Sequence, residues 1–298
     1  MHVLLTGATG FVGRNIVVAL LQQGWRVTAL VRDQRRAQRQ LPGASGCIDW
    51  RALQEVSAVD AVINLAGAPI VGRRWTSHRR RVLLDSRVGV TERLVEHFLQ
   101  RVPSPRVFIS ASAVGYYGNR GATPLTEASG SGAGFLASLC ERWEAAAFGA
   151  VAMGSRVVVL RLGIVLGTGG GALAKMVPLF RLGLGGQLGS GRQYMPWIHL
   201  DDVVGLVLRA LEDDSLAGAV NAVAPNPNTN QEFTTALAAA LSRRAVVALP
   251  AFVLRAALGH AAEALLASQR VLPARLEEIG YAYRFRDLGA AVRQALDH

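Results

Sequence analysis

Two rhythms of apolar and polar positions alternate along the first half of the chain. His2 to Thr6 is a short apolar run that ends in glycines, the pattern of a strand. Phe11 to Gln23 repeats its apolar residues at helical spacing and stops at Gly24, a helix terminator. Arg26 to Val31 predicts a second strand, the short run Cys47-Ile48 follows, and Ala61 to Leu65 predicts a further strand. Trp75 to Arg101 reads as one long helix, Arg106 to Ser110 as a strand and Leu136 to Val151 as a helix. Val157 to Leu162 is a β-branched run suited to a buried strand. Strands alternating with helices of this length imply βαβ units and a parallel sheet.

After Leu162 the texture changes. Gly163 to Gly191 is glycine-rich, with a short helix expected at about Ala172 to Leu182. Asp201 to Glu212 and Asn230 to Leu241 read as helices, with a strand at Ala219 to Ala222 between them. From Pro250 the chain is alanine-rich and helical. The expected organisation is an α/β, doubly wound parallel Rossmann sheet over 1–240, with substrate-lobe segments from about 163 on. A small, mainly helical C-terminal domain over 245–298 completes it. A chain of 298 residues suits one large domain plus such a lobe.

Composition adds limits. With 51% hydrophobic and 18% charged residues the chain is a globular, slightly apolar one. No apolar run reaches the ~18 residues that span a bilayer, and Arg161 cuts the most apolar stretch, Val157 to Gly167. Met1 leads straight into the first strand, so a cytoplasmic protein is expected. Cys47 and Cys140 lie far apart without metal-ligand spacing, and no metal site is expected. The formal net charge of +11 invites phosphate-bearing partners. Its makeup weakens that signal: Lys175 is the single lysine and the other 31 basic residues are arginines, the mark of a GC-rich coding bias. The run Arg73 to Arg81 carries several arginines, but adjacent ones point around a helix and not along one stripe. Nucleic acid is therefore not the expected partner.

The strongest chemical signal is Thr6-Gly7-Ala8-Thr9-Gly10-Phe11-Val12-Gly13, spaced TGxxGxxG between the first strand and the first helix. Gly7 serves a sharp turn, Gly10 leaves room for a pyrophosphate, and Gly13 lets the helix pack closely on the sheet. The helix N-terminus offers free N–H groups and a positive dipole end to the anion. In NAD binders an acidic residue ends the second strand and holds the ribose 2′-hydroxyl. Here Arg32 stands there, suited to a 2′-phosphate, with Asp33 one residue late. NADP(H) is accordingly favoured over NAD(H). Asp49 is a candidate for the adenine amino group, and Leu65-Ala66-Gly67 for a turn beside the adenine ribose and pyrophosphate.

These motifs together resemble the extended or atypical short-chain dehydrogenases, the NAD-dependent epimerase/dehydratase family. Ser110-Ala111-Ser112-Ala113-Val114-Gly115-Tyr116-Tyr117-Gly118 looks like its serine–tyrosine segment. Arg161-Leu162-Gly163 looks like its turn beside the nicotinamide, and Trp197-Ile198-His199-Leu200-Asp201-Asp202 like its IHxxD segment. Leu65 to Ile70, Gly185 to Gln193 and Ala267 to Pro273 resemble an uncharacterised epimerase-like subgroup that ends in a small domain of unknown function. The resemblance implies cofactor contacts at Ser110, Leu162, Gly163 and Arg87, with Ser86 beside the latter. It implies substrate contacts at Arg192, Gln193, Tyr194 and Trp197, and a homodimer through the two long helices.

The chain departs from the family at its chemistry. The usual Tyr-x-x-x-Lys pair cannot exist, because Lys175 is the single lysine and Gly171 stands four residues before it. On the helix that should carry it, the two slots hold Phe135 and Leu139 or Leu136 and Cys140, depending on register. Ser112 matches the family's serine; Tyr116, Tyr117 and His199 are the remaining acid–base candidates. Three functions fit: an NADP-dependent oxidoreductase or epimerase with an altered acid–base set acting on a small molecule, a non-catalytic NADP(H)-binding sensor or regulator, and a polyanion binder.

Overall fold

Every residue of the first strand, β1 (His2–Thr6), is buried, as a parallel strand covered on both faces must be. The computed structural model describes residues 1–41, 43, 46–56, 58–245 and 247–296. Positions 246, 297 and 298 of the expected C-terminal segment lie outside the described residues. From β1 the chain runs through α1 (Phe11–Gln22), β2 (Arg26–Leu30), α2 (Gln34–Gln40), β3 (Gly46–Ile48) and β4 (Ala61–Asn64). The expected long helix is broken into α3 (Ser77–Leu84) and α4 (Val90–Leu99) by one π-helical turn, Asp85–Gly89. It begins two residues late because the Thr76 side chain accepts the Arg79 N–H and caps it there, leaving Trp75 outside.

β5 (Val107–Ala113) runs three residues beyond the expected strand, because Ala111, Ser112 and Ala113 go on pairing with the neighbouring strand. The two-residue β6 (Pro124–Leu125), α5 (Phe135–Phe148), β7 (Arg156–Leu162) and the short β8 (Ile164–Leu166) follow. Then come α6 (Leu173–Arg181), β9 (Trp197–His199), α7 (Leu200–Glu212), β10 (Gly218–Ala222) and α8 (Asn230–Ala240). The last part holds α9 (Ala251–Leu258), α10 (Glu263–Leu266), β11 (Arg270–Val271), α11 (Ala274–Glu278) and α12 (Leu288–Leu296).

Seven strands form one parallel sheet in the order β10-β7-β5-β4-β1-β2-β3. Alternate residues of β1 feed opposite cores. Val3 and Leu5 pack with Ile16, Val17 and Leu20 of α1 and with Val203, Leu206 and Val207 of α7. Leu4 packs with Leu94, Val95 and Phe98 of α4 and with Ala147 of α5. This is a doubly wound Rossmann sheet, and its strand order reverses between β1 and β4. Ligands of such sheets bind outside the carboxyl ends of the strands at that point.

The C-terminal helices share cores with the rest of the chain. Ala291 and Val292 of α12 pack with Leu173 and Phe180 of α6 and with Phe233 and Leu237 of α8. Leu276 of α11 joins the α1–α7 core. Among the described residues no helix is long and apolar enough to cross a membrane.

Candidate cofactor and active site

The glycine loop sits where the sheet order reverses, and its glycines are required by close contacts. Gly7 has φ +70°, and a Cβ on it would lie 2.5 Å from the Leu65 carbonyl oxygen. A Cβ on Gly13 would lie 2.2 Å from the Gly7 carbonyl oxygen. The loop is thus clamped between α1 and the end of β4. The N-cap of α1 is Gly10, no side chain caps it, and no acidic residue stands in its first turn. Its free N–H groups and dipole are left for an anion.

A cleft of about 480 Å³ opens from this loop. Its walls include Gly7, Gly10, Phe11, Val12 and Gly13, the turn Leu65-Ala66-Gly67, then Arg87, Ser112, Leu162 and Gly163. The cofactor-side residues Thr6, Thr9, Arg32, Asp49 and Ser110 stand outside that lining. Thr6 is buried and donates to Asn64 Oδ1 at 2.6 Å, tying the end of β1 to the end of β4. Ser110 is fully buried, its hydroxyl turned back to the Ala111 carbonyl at 3.1 Å. Thr9 is exposed beside the loop. Asp49 accepts the backbone N–H groups of Arg51 and Ala52, which hold its carboxyl below the usual carboxylate range. Arg32 is exposed just beyond β2, and the Asp33 carboxylate is engaged as the cap of α2, accepting the Arg36 N–H at 3.0 Å.

The beyond-loop half of the cleft is apolar, with Leu136, Leu139, Trp143, Ile164 and Met195 on its walls. Of the two slot pairs for the missing motif, Leu136, Leu139 and Cys140 line the cleft, while Phe135 turns away onto Trp75 at 5.3 Å between ring centroids. Burial, with the nearby Glu144 charge adding to it, pushes the Cys140 thiol up to about 12. Cys140 is therefore a neutral wall residue at pH 7.

Of the four acid–base candidates only Ser112 reaches the cleft. Its hydroxyl donates to Glu144 Oε1 at 2.6 Å, so toward the cleft Ser112 offers lone pairs. Glu144 in turn is gripped by Arg161 through two hydrogen bonds, Nε to Oε1 at 2.9 Å and Nη2 to Oε2 at 2.8 Å. Both side chains are about 5% exposed. Burial alone would lower the Arg161 pKa, but the hydrogen bonds and charge of Glu144 override it and raise it. Tyr117 belongs to this network and not to the cleft. It is fully buried, its hydroxyl accepting from Arg161 at 2.8 Å and lying 2.7 Å from Asn221 Oδ1. Burial pushes its phenol up to about 12. Tyr116 lies under the same guanidinium, 3.6 Å from ring centroid to Cζ.

His199 is 1% exposed and away from the cleft. Its Nδ1 accepts the Asp201 N–H at the start of α7 and its Nε2 contacts Gln294 Oε1 at 2.7 Å. It caps a helix and ties α7 to α12. Trp197 is 1% exposed, in the core with its indole N–H donating to Asn228, and does not face a substrate. Gln193 donates to the Leu188 carbonyl and shapes the loop. Tyr194 does line the cleft, while the exposed Arg192 lines an outer depression with Arg255 and Ser268. In the Arg73–Arg81 run, Arg74 donates to the Ala256 and Ala257 carbonyls and Arg79 to that of Pro69. Lys175 is exposed, 3.4 Å from the Val71 carbonyl.

Sequence reasoning missed the Ser112–Glu144–Arg161–Tyr117–Asn221 network. Its signal was present: an arginine inside a buried β-branched strand calls for a partner, most often an acid. Among the described residues no group of His, Cys, Asp or Glu is placed to hold a metal ion.

Residues 3–223 match the NAD dependent epimerase/dehydratase family, and residues 249–295 match a domain of unknown function, DUF1731. The human epimerase family protein SDR39U1 is 39% identical over 300 residues, covering 99% of this chain and 99% of that one. A Mycobacterium leprae epimerase family protein is 40% identical, covering 98% of this chain and 95% of its own. The crystal structure of human SDR39U1 (isoform 2) with NADPH superposes with a TM-score of 0.91 at 37% identity, covering 100% of both chains. A Bacillus cereus UDP-glucuronic acid 4-epimerase shares the fold alone, with a TM-score of 0.78 at 17% identity.

Proposed function

This chain belongs to the NAD-dependent epimerase/dehydratase family, and we propose that it binds NADP(H) along the glycine loop and uses it for hydride chemistry on a small molecule. The observation that carries the reading is the pairing at the end of β2. Arg32 stands free to take a 2′-phosphate, while the Asp33 carboxylate that would take a 2′-hydroxyl is engaged in capping α2. One relative of known structure, human SDR39U1, was solved with NADPH. The free N-terminus of α1 supplies the pyrophosphate site. The substrate lies over Ser112 against Leu136, Met195 and Tyr194. Because Ser112 donates to Glu144, it orients a hydroxyl or amide N–H of the bound species by accepting from it.

A second reading, a non-catalytic NADP(H) sensor, is favoured by one feature. The helix that would carry the proton-relaying pair presents Leu136, Leu139 and Cys140 to the cleft, and Tyr116, Tyr117 and His199 all stand outside the cleft lining. The deciding experiment titrates wild type and Arg32→Ala with NADPH and NADH by fluorescence. NADPH binding that weakens more than tenfold in Arg32→Ala, with NADH unchanged, is the expected result. Equal affinity for both cofactors in wild type would refute the assignment. Steady oxidation of bound NADPH by members of a carbonyl panel separates the enzyme from the sensor.

A further inference from the structure

The cleft does not end at Leu136. A second cavity of about 620 Å³ adjoins it and shares Gly115, Leu136, Glu263, Ala267 and Gln269 as walls. A third, the outer depression of about 490 Å³, shares Asn119, Arg255 and Leu266 with the second. Together they make one passage from the glycine loop past Ser112 to the surface. Residues 251–269, inside the segment that matches DUF1731, form one side of its outer two-thirds. Residues 115–136 and the loop 189–193 form the other. Hydrogen bonds stitch the two sides together. Gln269 donates to the Gly118 carbonyl at 2.9 Å, the Ser268 N–H to Asn119 Oδ1 at 3.0 Å, and the Ser268 hydroxyl to the Gly121 carbonyl at 2.7 Å. The passage is therefore built into the fold.

Its chemistry changes along its length. In the middle cavity the polar groups are engaged with the protein itself. Asn119 and Gln269 belong to the stitching, and His260 Nδ1 lies 3.5 Å from Glu263 Oε1. What that stretch leaves for a ligand is apolar: Ala133, Leu136, Ala262, Leu266 and Ala267. The outer cavity is different, because Arg255 and Arg192 both line it and both are exposed. Among the described residues neither guanidinium has an ion pair or a hydrogen bond. Glu263, the one acid among the described lining residues, stands where the inner and middle cavities meet. Arg87 lies at the opposite end, against Gly67 and Ala68 of the turn expected to hold the cofactor. An anionic group on a ligand is thus repelled at the middle and attracted at the outer end.

Resting on the reading that the substrate lies over Ser112, we infer that the substrate is an elongated molecule with an apolar body and an anionic end. The body fills the middle cavity, and Arg255 and Arg192 hold a carboxylate or phosphate in the outer one. The planar guanidinium fork pairs with either anion through the same N–H geometry, so the two are one chemistry at this site. The domain of unknown function supplies one wall of the passage and one of the two arginines. It thereby selects which molecules reach Ser112.

The test titrates octanoate, octyl phosphate, uncharged octanol, acetate and UDP by calorimetry, with and without saturating NADPH. The proteins are wild type, Arg255→Ala, Arg192→Ala and the double variant, with melting temperatures on the same samples. Wild type is expected to hold octanoate or octyl phosphate at least tenfold more tightly than octanol or acetate, and the tighter of the two names the anion. Each single variant should weaken that binding several-fold, and the double variant should bring it down to that of octanol. Added salt should weaken it as well, since both arginines are exposed. NADPH affinity and melting temperature should stay unchanged in all three variants. Octanol bound as tightly as the anions, or an anion preference that survives the double variant, would overturn the inference. Acetate bound as tightly as octanoate would overturn the apolar body. UDP held more tightly than octyl phosphate, and lost in the double variant, would overturn it in favour of a nucleotide end. A wild type that binds no NADPH would remove the cofactor reading instead, and the titrations without NADPH would still decide the anion site.

Discussion

Replacing Arg161 by Met tests whether the buried network behind Ser112 holds the site together. In the native protein Glu144 receives two hydrogen bonds from Arg161 and one from Ser112, at 2.6 to 2.9 Å. Arg161→Met removes two of those three and leaves a carboxylate about 5% exposed with a single hydroxyl partner. It also removes a donor from the buried Tyr117 hydroxyl. Breaking one side of a buried ion pair costs about 3–5 kcal/mol, mostly as the uncompensated charge left behind. For a chain of this size that corresponds to a drop in Tm on the order of 10 °C. The double variant Arg161→Met/Glu144→Leu removes both charges and should recover most of the loss, because two apolar groups need no partner. Urea unfolding at pH 7 reads both effects as shifts of the midpoint at constant slope. A loss below about 1 kcal/mol for Arg161→Met, or a double variant no more stable than the single, would refute the reasoning.

Three further outcomes follow from individual contacts. Gly10→Ala should keep the fold, since its Cβ would meet only the Gly7 carbonyl at 3.1 Å, but lose NADPH affinity more than tenfold by blocking the pyrophosphate. Gly13→Ala, with its Cβ 2.2 Å from the same carbonyl, should instead lower the melting temperature outright. Tyr117→Phe should cost about 1–3 kcal/mol of stability by orphaning Asn221 and an Arg161 donor, and leave cofactor titrations unchanged. Burial lowers the His199 pKa from 6.5, so the unfolded chain binds a proton that the folded one refuses. Its contribution is complete above pH 6.5 and is lost as pH falls below it. Melting temperature should therefore fall from pH 7 toward pH 5, and His199→Asn should flatten that slope; an unchanged slope would refute the assignment.

The sheet was legible because its strands are buried on both faces. Val3, Leu4 and Leu5, or Val157 to Leu160, are apolar without interruption, and nothing in their patterning competes with a strand. The glycine loop was legible for the same kind of reason, since each of its glycines answers a local steric demand at Leu65 or Gly7. The start of α8 at Asn230 was legible, and the capping box of Thr229 and Glu232 sets it there; α2, capped by Asp33, was not expected, and the Thr76 cap moved the start of α3 two residues beyond the expected one. The long Trp75–Arg101 helix failed at its middle, because a π turn leaves no trace in apolar spacing short enough to be absorbed by one extra residue.

The acid–base assignments failed for a different physical reason. Tyr117 and His199 were candidates because their segments resemble the family's serine–tyrosine and IHxxD segments. Their partners are Arg161 and Asn221, 44 and 104 residues away, and Gln294, 95 residues away. Such distances are invisible to spacing, yet the burial of Arg161 demanded an acid somewhere on a facing element. Glu144 was the residue to find: on α5 it lies eight positions, two helical turns and a little more, beyond the cleft-facing Leu136. Arg161 and Arg87 then show what decides between structure and function for a buried cation in this fold. Arg161 has a carboxylate on two hydrogen bonds and a packed tyrosine on its face, and so its charge is neutralised within the protein. Arg87, on the cleft wall, has two carbonyls, the Ser86 hydroxyl and an indole around it, and none of its hydrogen bonds goes to a carboxylate.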